Sequence, residues 1–243
     1  MKFRQLFTFI LLISAVSAVA QEEQKPEVPK FAIGVNFSPS CAYRYLHITD
    51  EGSSSGKLIK DLLNEYYKPK FGYTTGLDFS WFASRRLTLE TGLWFSDKGF
   101  QSKWISTETA VGQTNPYEKA RLLFTSGYLS VPLKLNFNII TTPVTFFISA
   151  GMSADLLLYA KNKVFLVYES GEKETLTINE RSGLRDLNVS YIGSLGVEYG
   201  FLKNFRVRLE PTFMMTILPV YSGEIKNYLW TLGGNVGIYY VVK

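Results

Sequence analysis

Apolar and polar positions alternate along most of the chain. From residue 31 onward, Phe31, Ile33, Val35 and Phe37 fall on one side, and Ala32, Gly34, Asn36 and Ser38 on the other. A period of two belongs to a β-strand whose two faces meet different surroundings. The pattern returns over residues 71–82, 87–96, 127–137, 144–155, 187–199, 205–214 and 228–241, which predicts eight strands in all.

The links between these strands alternate in length. Residues 83–86, 138–143 and 200–204 make short connections, whereas 39–70, 97–126, 156–186 and 215–227 make long ones. Hairpins that are short at one end and long at the other characterise transmembrane β-barrels, with brief periplasmic turns and longer extracellular loops. An even count of eight lets an antiparallel sheet close and puts both termini in the periplasm. The expected fold is therefore all-β: an eight-stranded antiparallel transmembrane β-barrel with four long extracellular loops.

A soluble barrel would alternate too, so the composition of the two faces decides. A face meeting water should be rich in Lys and Glu. Here the polar face is mostly small: Gly72, Thr74, Gly76 and Ser80; Ser149, Gly151 and Ser153; Ser190, Ser194 and Gly196; Gly233, Asn235 and Gly237. Such residues suit a narrow interior. The opposite face carries Phe71, Tyr73, Leu77, Phe79 and Trp81, then Leu87, Leu89, Leu93 and Phe95, and later Tyr228, Trp230, Leu232, Val236, Ile238 and Tyr240. That face suits lipid, and Tyr and Trp near strand ends fit interfacial girdles.

The N-terminus agrees with this address. Lys2 and Arg4 precede an apolar stretch, and Ala18-Val19-Ala20 offers a cleavage site, so residues 1–20 read as an export signal and 21–30 as a periplasmic lead-in to a barrel domain over 31–243. Losing the signal leaves 24 Lys and Arg against 21 Asp and Glu, a fall in net charge from +5 to +3. So mild a balance is no nucleic-acid footprint. Cys41 is the only cysteine, so no internal disulfide forms.

The stretch YLSVPLKLNF at 128–137 places Pro132 and Lys134 inside a strand. By alternation Leu129, Val131, Leu133, Leu135 and Phe137 face lipid, while Pro132 and Lys134 face the lumen. Proline deletes a ladder bond, so a bulge or a locally wide pairing is expected there, satisfied from the lumen side. With the following VTFFISAGMSADLLL and the later YIGSLGVEYGF, this stretch resembles the outer-membrane β-barrel family of Bacteroidota that includes PorT. The resemblance implies an integral barrel and, for PorT itself, a role in type IX protein secretion. The C-terminus departs from the aromatic ending common in such barrels, with Tyr240 the nearest substitute for the assembly signal.

Alternation also sends Asp78, Glu90, Lys134, Glu198, Arg206, Arg208 and Glu210 into the lumen. Charges of both signs in a narrow space should pair and plug it, with the two arginines bridging Glu210, Glu90 or Glu198. In the first long link, GKLIKDLLNEYYK sets Leu58, Ile59, Leu62, Leu63, Tyr66 and Tyr67 at helical spacing. This amphipathic helix is expected to pack on the barrel rim; docking of a partner through Leu58, Leu62, Leu63 and Tyr66 is the alternative. His47 is the single histidine, with Asp50, Glu51 and Ser53 nearby, which would be the nucleus of a lipid-A-modifying enzyme. A lone loop histidine is more often solvated, so no catalytic, cofactor or metal residue is assigned. The sequence reads as a non-catalytic outer-membrane envelope component, its partners membrane lipid and envelope or secretion proteins, with a surface enzyme or small-solute channel as alternatives.

Overall fold

The computed structural model describes residues 30–49, 54–106, 117–141, 144–179, 181–221 and 225–242. The expected export signal and all of the lead-in except Lys30 lie outside them. Twelve elements follow in order: β1 (Phe31–Ile48), α1 (Ser54–Tyr66), β2 (Tyr67–Lys68), β3 (Lys70–Phe82), β4 (Leu87–Ser102), β5 (Ile105–Ser106), β6 (Tyr117–Thr141), β7 (Val144–Tyr168), β8 (Lys173–Asn179), β9 (Leu187–Gly200), β10 (Phe205–Thr216) and β11 (Ile225–Val242).

Eight of the strands form a closed antiparallel ring. Each pairs with the next in the order β1, β3, β4, β6, β7, β9, β10 and β11, and β11 returns to β1 through pairs such as Ile33 with Tyr240 and Val35 with Ile238. Closure leaves no free edge in the ring, so backbone N–H and C=O groups are met within the sheet, as a spanning structure in hydrocarbon requires. Phe31 pairs with both Trp81 and Val242, so the two ends of the described ring lie beside the turn at 83–86. The long links all leave from the opposite end.

Burial follows the alternation. In β1 the outward Phe31, Ile33, Val35 and Phe37 are exposed and Ala32, Asn36 and Ser38 are buried. The exposed apolar belt continues around the ring through Leu77, Leu93, Leu133, Ile148, Leu195, Leu209 and Val236. Aromatic rings line it toward both ends: Phe205 meets Tyr240 edge-on at 5.2 Å near the turns, and Phe37, Tyr73, Phe95 and Tyr159 follow one another at 6.2, 5.9 and 6.4 Å on the far side.

The strands outrun the expected boundaries at the long-link end. Residues 39–48, 97–102, 117–126 and 156–168, expected as loop, are strand. Higher along these extensions the outward face leaves lipid, so the apolar and polar alternation that marks a spanning strand fades while the ladder continues. β6 and β7, at 25 residues each, rise about 25 Å past the belt, given roughly 3.3 Å per residue and a tilt near 40°. β8 adds to β7 across Lys161 to Val167, and β5 adds to β6, so a small sheet stands clear of the barrel. Gly171 turns β7 into β8 at φ +84°, a conformation that favours glycine. There Tyr168 donates to Glu174, which holds the phenol's pKa above its ordinary value.

Three prolines sit inside ring strands, and all are accommodated in one way. The β4–β6 ladder skips two pairs between Thr91–Leu133 and Trp94–Ser130 and resumes in the same register, while Pro132 stays paired with Ser153 on β7. Pro39 opens β1–β11 between Phe37–Val236 and Ser40–Gly233, and Pro211 opens β9–β10 between Leu209–Val197 and Thr212–Ser194. The expected disturbance at Pro132 is thus a locally wide pairing without a bulge. It is satisfied from the outward-facing row, not from the lumen: Thr91 Oγ1 donates to the Pro132 carbonyl at 2.7 Å. Thr91 is the nearest hydroxyl across the gap, and its short side chain can fold back onto the sheet.

Inward-facing rings lie flat over glycines on neighbouring strands. Phe147 covers its cross-strand partner Gly196, and Tyr239 covers Gly34. A Cβ on Gly196 would overlap the Phe147 ring, whereas one on Gly193 would meet nothing within 4 Å. We therefore expect Gly196→Val to lose roughly 3 kcal/mol of stability through overpacking, and Gly193→Val to stay within about 0.5 kcal/mol of the parent. Urea midpoints read from heat-modifiable migration on gels measure both.

Candidate functional site

The inward row of the ring gathers its charges into one connected cluster. Glu90 on β4 and Lys134 on β6 are cross-strand partners joined at 2.9 Å, and Lys134 reaches Glu210 on β10 at 2.7 Å. Arg208, also on β10, contacts Glu90 from the opposite wall and binds Glu198 through Nη2 at 2.8 Å and Nε at 3.1 Å. β4 and β10 stand four places apart in the ring of eight, so the Arg208–Glu90 pair spans the lumen. Arg206 meets Glu198 at 2.7 Å, nearer the turns.

Neutral groups complete the cluster. Asn136 donates to Glu90 at 3.1 Å, and Ser194 and Asn235 donate to Glu210. The Arg208 guanidinium lies 4.1 Å from the Tyr239 ring centre and 5.0 Å from that of Phe147, so the rings over Gly34 and Gly196 also wall the arginine. These contacts matter because a charge out of water costs several kcal/mol unless its partners and hydrogen bonds replace the lost solvation. Lys134 is 1 % exposed and Glu210 0 %.

The arginines take two of the three expected acceptors, Glu90 and Glu198, while Lys134 and Ser194 occupy Oε1 of Glu210. One detail differs from the sequence expectation. Among the described residues, Asp78 joins no ion pair. It accepts from Asn36 at 2.8 Å, the Trp94 indole at 2.6 Å and the Tyr239 hydroxyl at 2.7 Å, three neutral donors from three strands that satisfy a carboxylate without a cation.

A second ion pair lies higher in the lumen. Lys98 on β4 meets Asp155 on β7 at 3.1 Å, with Ser153 donating to Asp155 at 2.8 Å. Sequence reasoning missed it because residue 98 was placed in a loop; the long apolar rhythm of β7 was the available signal. Above it an apolar plug of Phe100, Phe124, Tyr128, Leu157, Val220 and Leu229 fills the mouth. Arg44 is stacked there between Tyr67 at 4.1 Å and Phe100 at 4.2 Å. From turns to mouth, the lumen holds paired charge, then a small cavity of about 20 Å³ lined by residues such as Asn36, Ser40, Thr74, Trp94 and Asn235, and then packed rings.

The rim helix is where the expectation of packing fails. Leu58 is 63 % exposed, Leu62 43 % and Tyr66 45 %, and only Leu63 is partly covered. α1 is held through its other side: its Leu63 carbonyl accepts from Arg44 Nη2 at 3.5 Å, and Lys60 Nζ sits 5.8 Å over the Tyr45 ring. With Gly56, Lys60 and Leu63 turned to the rim, the opposite apolar stripe is left exposed among the described residues. His47 lies on β1 in an open depression with Tyr45, Lys57, Lys60 and Asp61; Asp50, Glu51 and Ser53 lie outside the described residues.

A family model described as an outer membrane protein beta-barrel domain matches residues 19–214. Among solved structures, Neisserial surface protein A is 12 % identical with a TM-score of 0.43, covering 87 % of this chain and 96 % of its own. OprG from Pseudomonas aeruginosa is 11 % identical with a TM-score of 0.40, covering 91 % and 100 %. The Ail attachment invasion locus protein of Yersinia pestis is 14 % identical with a TM-score of 0.33, covering 87 % and 99 %. No curated protein sequence matches the chain.

Removing one member of a buried pair leaves its partner charged and dry. Arg208→Ala, which strands Glu90 and Glu198, should cost about 3–5 kcal/mol. Arg206→Ala should cost under about 1 kcal/mol, because that side chain is 30 % exposed and its partner keeps Arg208. Equilibrium unfolding in urea, followed by tryptophan fluorescence, distinguishes the two.

Proposed function

Because the chain belongs to the outer membrane protein beta-barrel domain family, we propose that it is a closed, non-catalytic barrel of the outer membrane that works through the surface it raises at the long-link end. The observation that carries this reading is the filled lumen. Eight strands enclose just enough room for side chains, and here that room is taken by the Glu90–Lys134–Glu210–Arg208 cluster and the apolar plug above it. A barrel with no aqueous path has its outside left for function.

The β5–β6–β7–β8 sheet stands clear of the ring at that end. We assign it to contact with other envelope proteins, in a role of the PorT-like kind accessory to secretion or surface assembly. The asymmetry of the links supports an orientation with the turns at 83–86 and 201–204 in the periplasm and the tall sheet outside the cell. An enzymatic reading would rest on His47, whose described neighbours are Tyr45, Lys57, Lys60 and Asp61, with no serine among them. A nucleophile and base pair is therefore not assembled there from the described residues.

Purified protein in planar bilayers should give no stable conductance steps of nanosiemens size; reproducible steps would support a channel instead. In a Cys41→Ala background, a cysteine at position 171 should react with an impermeant maleimide in intact cells, whereas one at 203 should react only after the outer membrane is opened. The reverse pattern would invert the orientation. His47→Ala should leave the mass profile of lipid A unchanged against the parent, and a change matching the gene deletion would favour the enzyme.

A further inference from the structure

Two features of the outer wall lie one above the other on β1. The lower is a shallow, open groove at the upper edge of the lipid-facing belt, bounded by Pro39, Cys41, Pro69, Phe71, Leu232 and Gly234. It exists because Pro39 opens the β1–β11 ladder opposite Gly234 and Asn235, and a Cβ on Gly234 would meet nothing within 4 Å. Phe71, 70 % exposed, stands along its side. An apolar slot of this kind in a membrane-facing wall suits an acyl chain.

The upper feature begins four residues further along the same strand. Between α1 and the outer wall, Tyr45, His47, Ile48, Lys57, Lys60 and Asp61 line an open depression. Lys226 is the cross-strand partner of His47 and shares its face. Two lysines, an imidazole and one carboxylate thus line the depression, a third lysine stands on the strand beside it, and among the described residues none of these lysines is in a salt bridge. Unpaired ammonium groups at the edge of a lipid belt, directly above an apolar slot, complement a phosphate-bearing headgroup. The exposed stripe of Leu58, Ile59, Leu62 and Tyr66 on α1 continues the apolar belt past its girdle.

We propose that α1 and the outer wall of β1 form a seat for a phosphate-bearing membrane lipid, with the phosphate at Lys57, Lys60 and Lys226 and an acyl chain in the Pro39–Gly234 groove. The seat explains why an amphipathic helix is held over the rim by its Lys60 and Leu63 side, leaving its apolar side bare. A helix of that kind is stable at a lipid boundary and a liability in water. The proposal is independent of which end of the barrel faces the cell exterior.

The test is native mass spectrometry of the full-length mature protein released from detergent after incubation with lipid A or phosphatidylglycerol, each compared with its uncharged counterpart, dephosphorylated lipid A or diacylglycerol. The parent should retain at least one of the two phosphorylated lipids and neither counterpart. Lys57→Gln with Lys60→Gln should weaken retention roughly thirty-fold, since each lysine near a charged surface contributes about five-fold. Gly234→Leu, which fills the groove, should weaken it as well, while Lys203→Gln at the far turn should not. Unheated gel migration confirms that each variant is folded.

Equal retention of charged and uncharged lipids, or no loss in either the double-lysine or the Gly234 variant, overturns the proposal. Competition by millimolar inorganic phosphate to the same extent as by lipid would also overturn it, by showing an anion site without a lipid. A photo-crosslinker at Leu62 in native membranes should yield a lipid adduct. A discrete protein band in its place would give the stripe to a protein partner and count against the lipid seat.

Discussion

Arg208 on β10 reaches across the whole lumen to Glu90 on β4, and much of the molecule is arranged around that contact. A ring of eight strands is too narrow to hold bulk water, so a charge that points inward must find its counter-charge among the other inward residues. Lys134, set beside Glu90 by the β4–β6 register, links on to Glu210, and Glu198 takes the remaining face of the arginine. The cluster ties β4, β6, β9 and β10 together from inside. Hydrogen bonds of the sheet join only neighbours; these contacts join opposite walls.

Space for the long side chains comes from the small ones. Gly34 and Gly196 let Tyr239 and Phe147 lie against the wall, and those two rings flank the guanidinium. Tyr239 in turn donates to Asp78, so the carboxylate without a cation is connected to the cluster through a phenol. Prolines are tolerated in this closed sheet because each gives up pairing on one side only. The register on the other side is kept, and a glycine or a threonine hydroxyl fits the gap. At Pro39 the same accommodation leaves an open slot toward lipid.

How much of this is legible in the sequence depends on how local the cause is. A period of two assigns the inward position of Lys134 and Glu90 from their neighbours alone, because Leu133 and Leu135, or Leu89, must face lipid. The wall-to-wall partners are not legible, since they depend on the ring's register and on which strands face each other. Asp78 shows the difference: its inward direction follows from alternation and its donor Trp94 lies on the hairpin neighbour β4, whereas its donor Tyr239 comes from β11, brought near only by closure. Lys98 escaped because the alternation weakens above the belt; residues 96–100 are all buried there, so no rhythm marks it, and Asp155, although on the inward row of β7, had no visible partner without it. For α1 the helical spacing was readable, but not which side the rim would hold.

The central claim is that paired charge across the lumen holds this barrel closed. A double-mutant cycle on Arg208 and Glu90, using Arg208→Met, Glu90→Gln and the combination, tests it most directly through the urea-unfolding free energies of the folded barrel. The account predicts that the two residues are coupled by about 2 kcal/mol or more, the double variant being far less damaged than the sum of the singles. Additive losses, with a coupling under about 0.5 kcal/mol, would mean that the two charges are separately hydrated and that the lumen is not sealed by their contact.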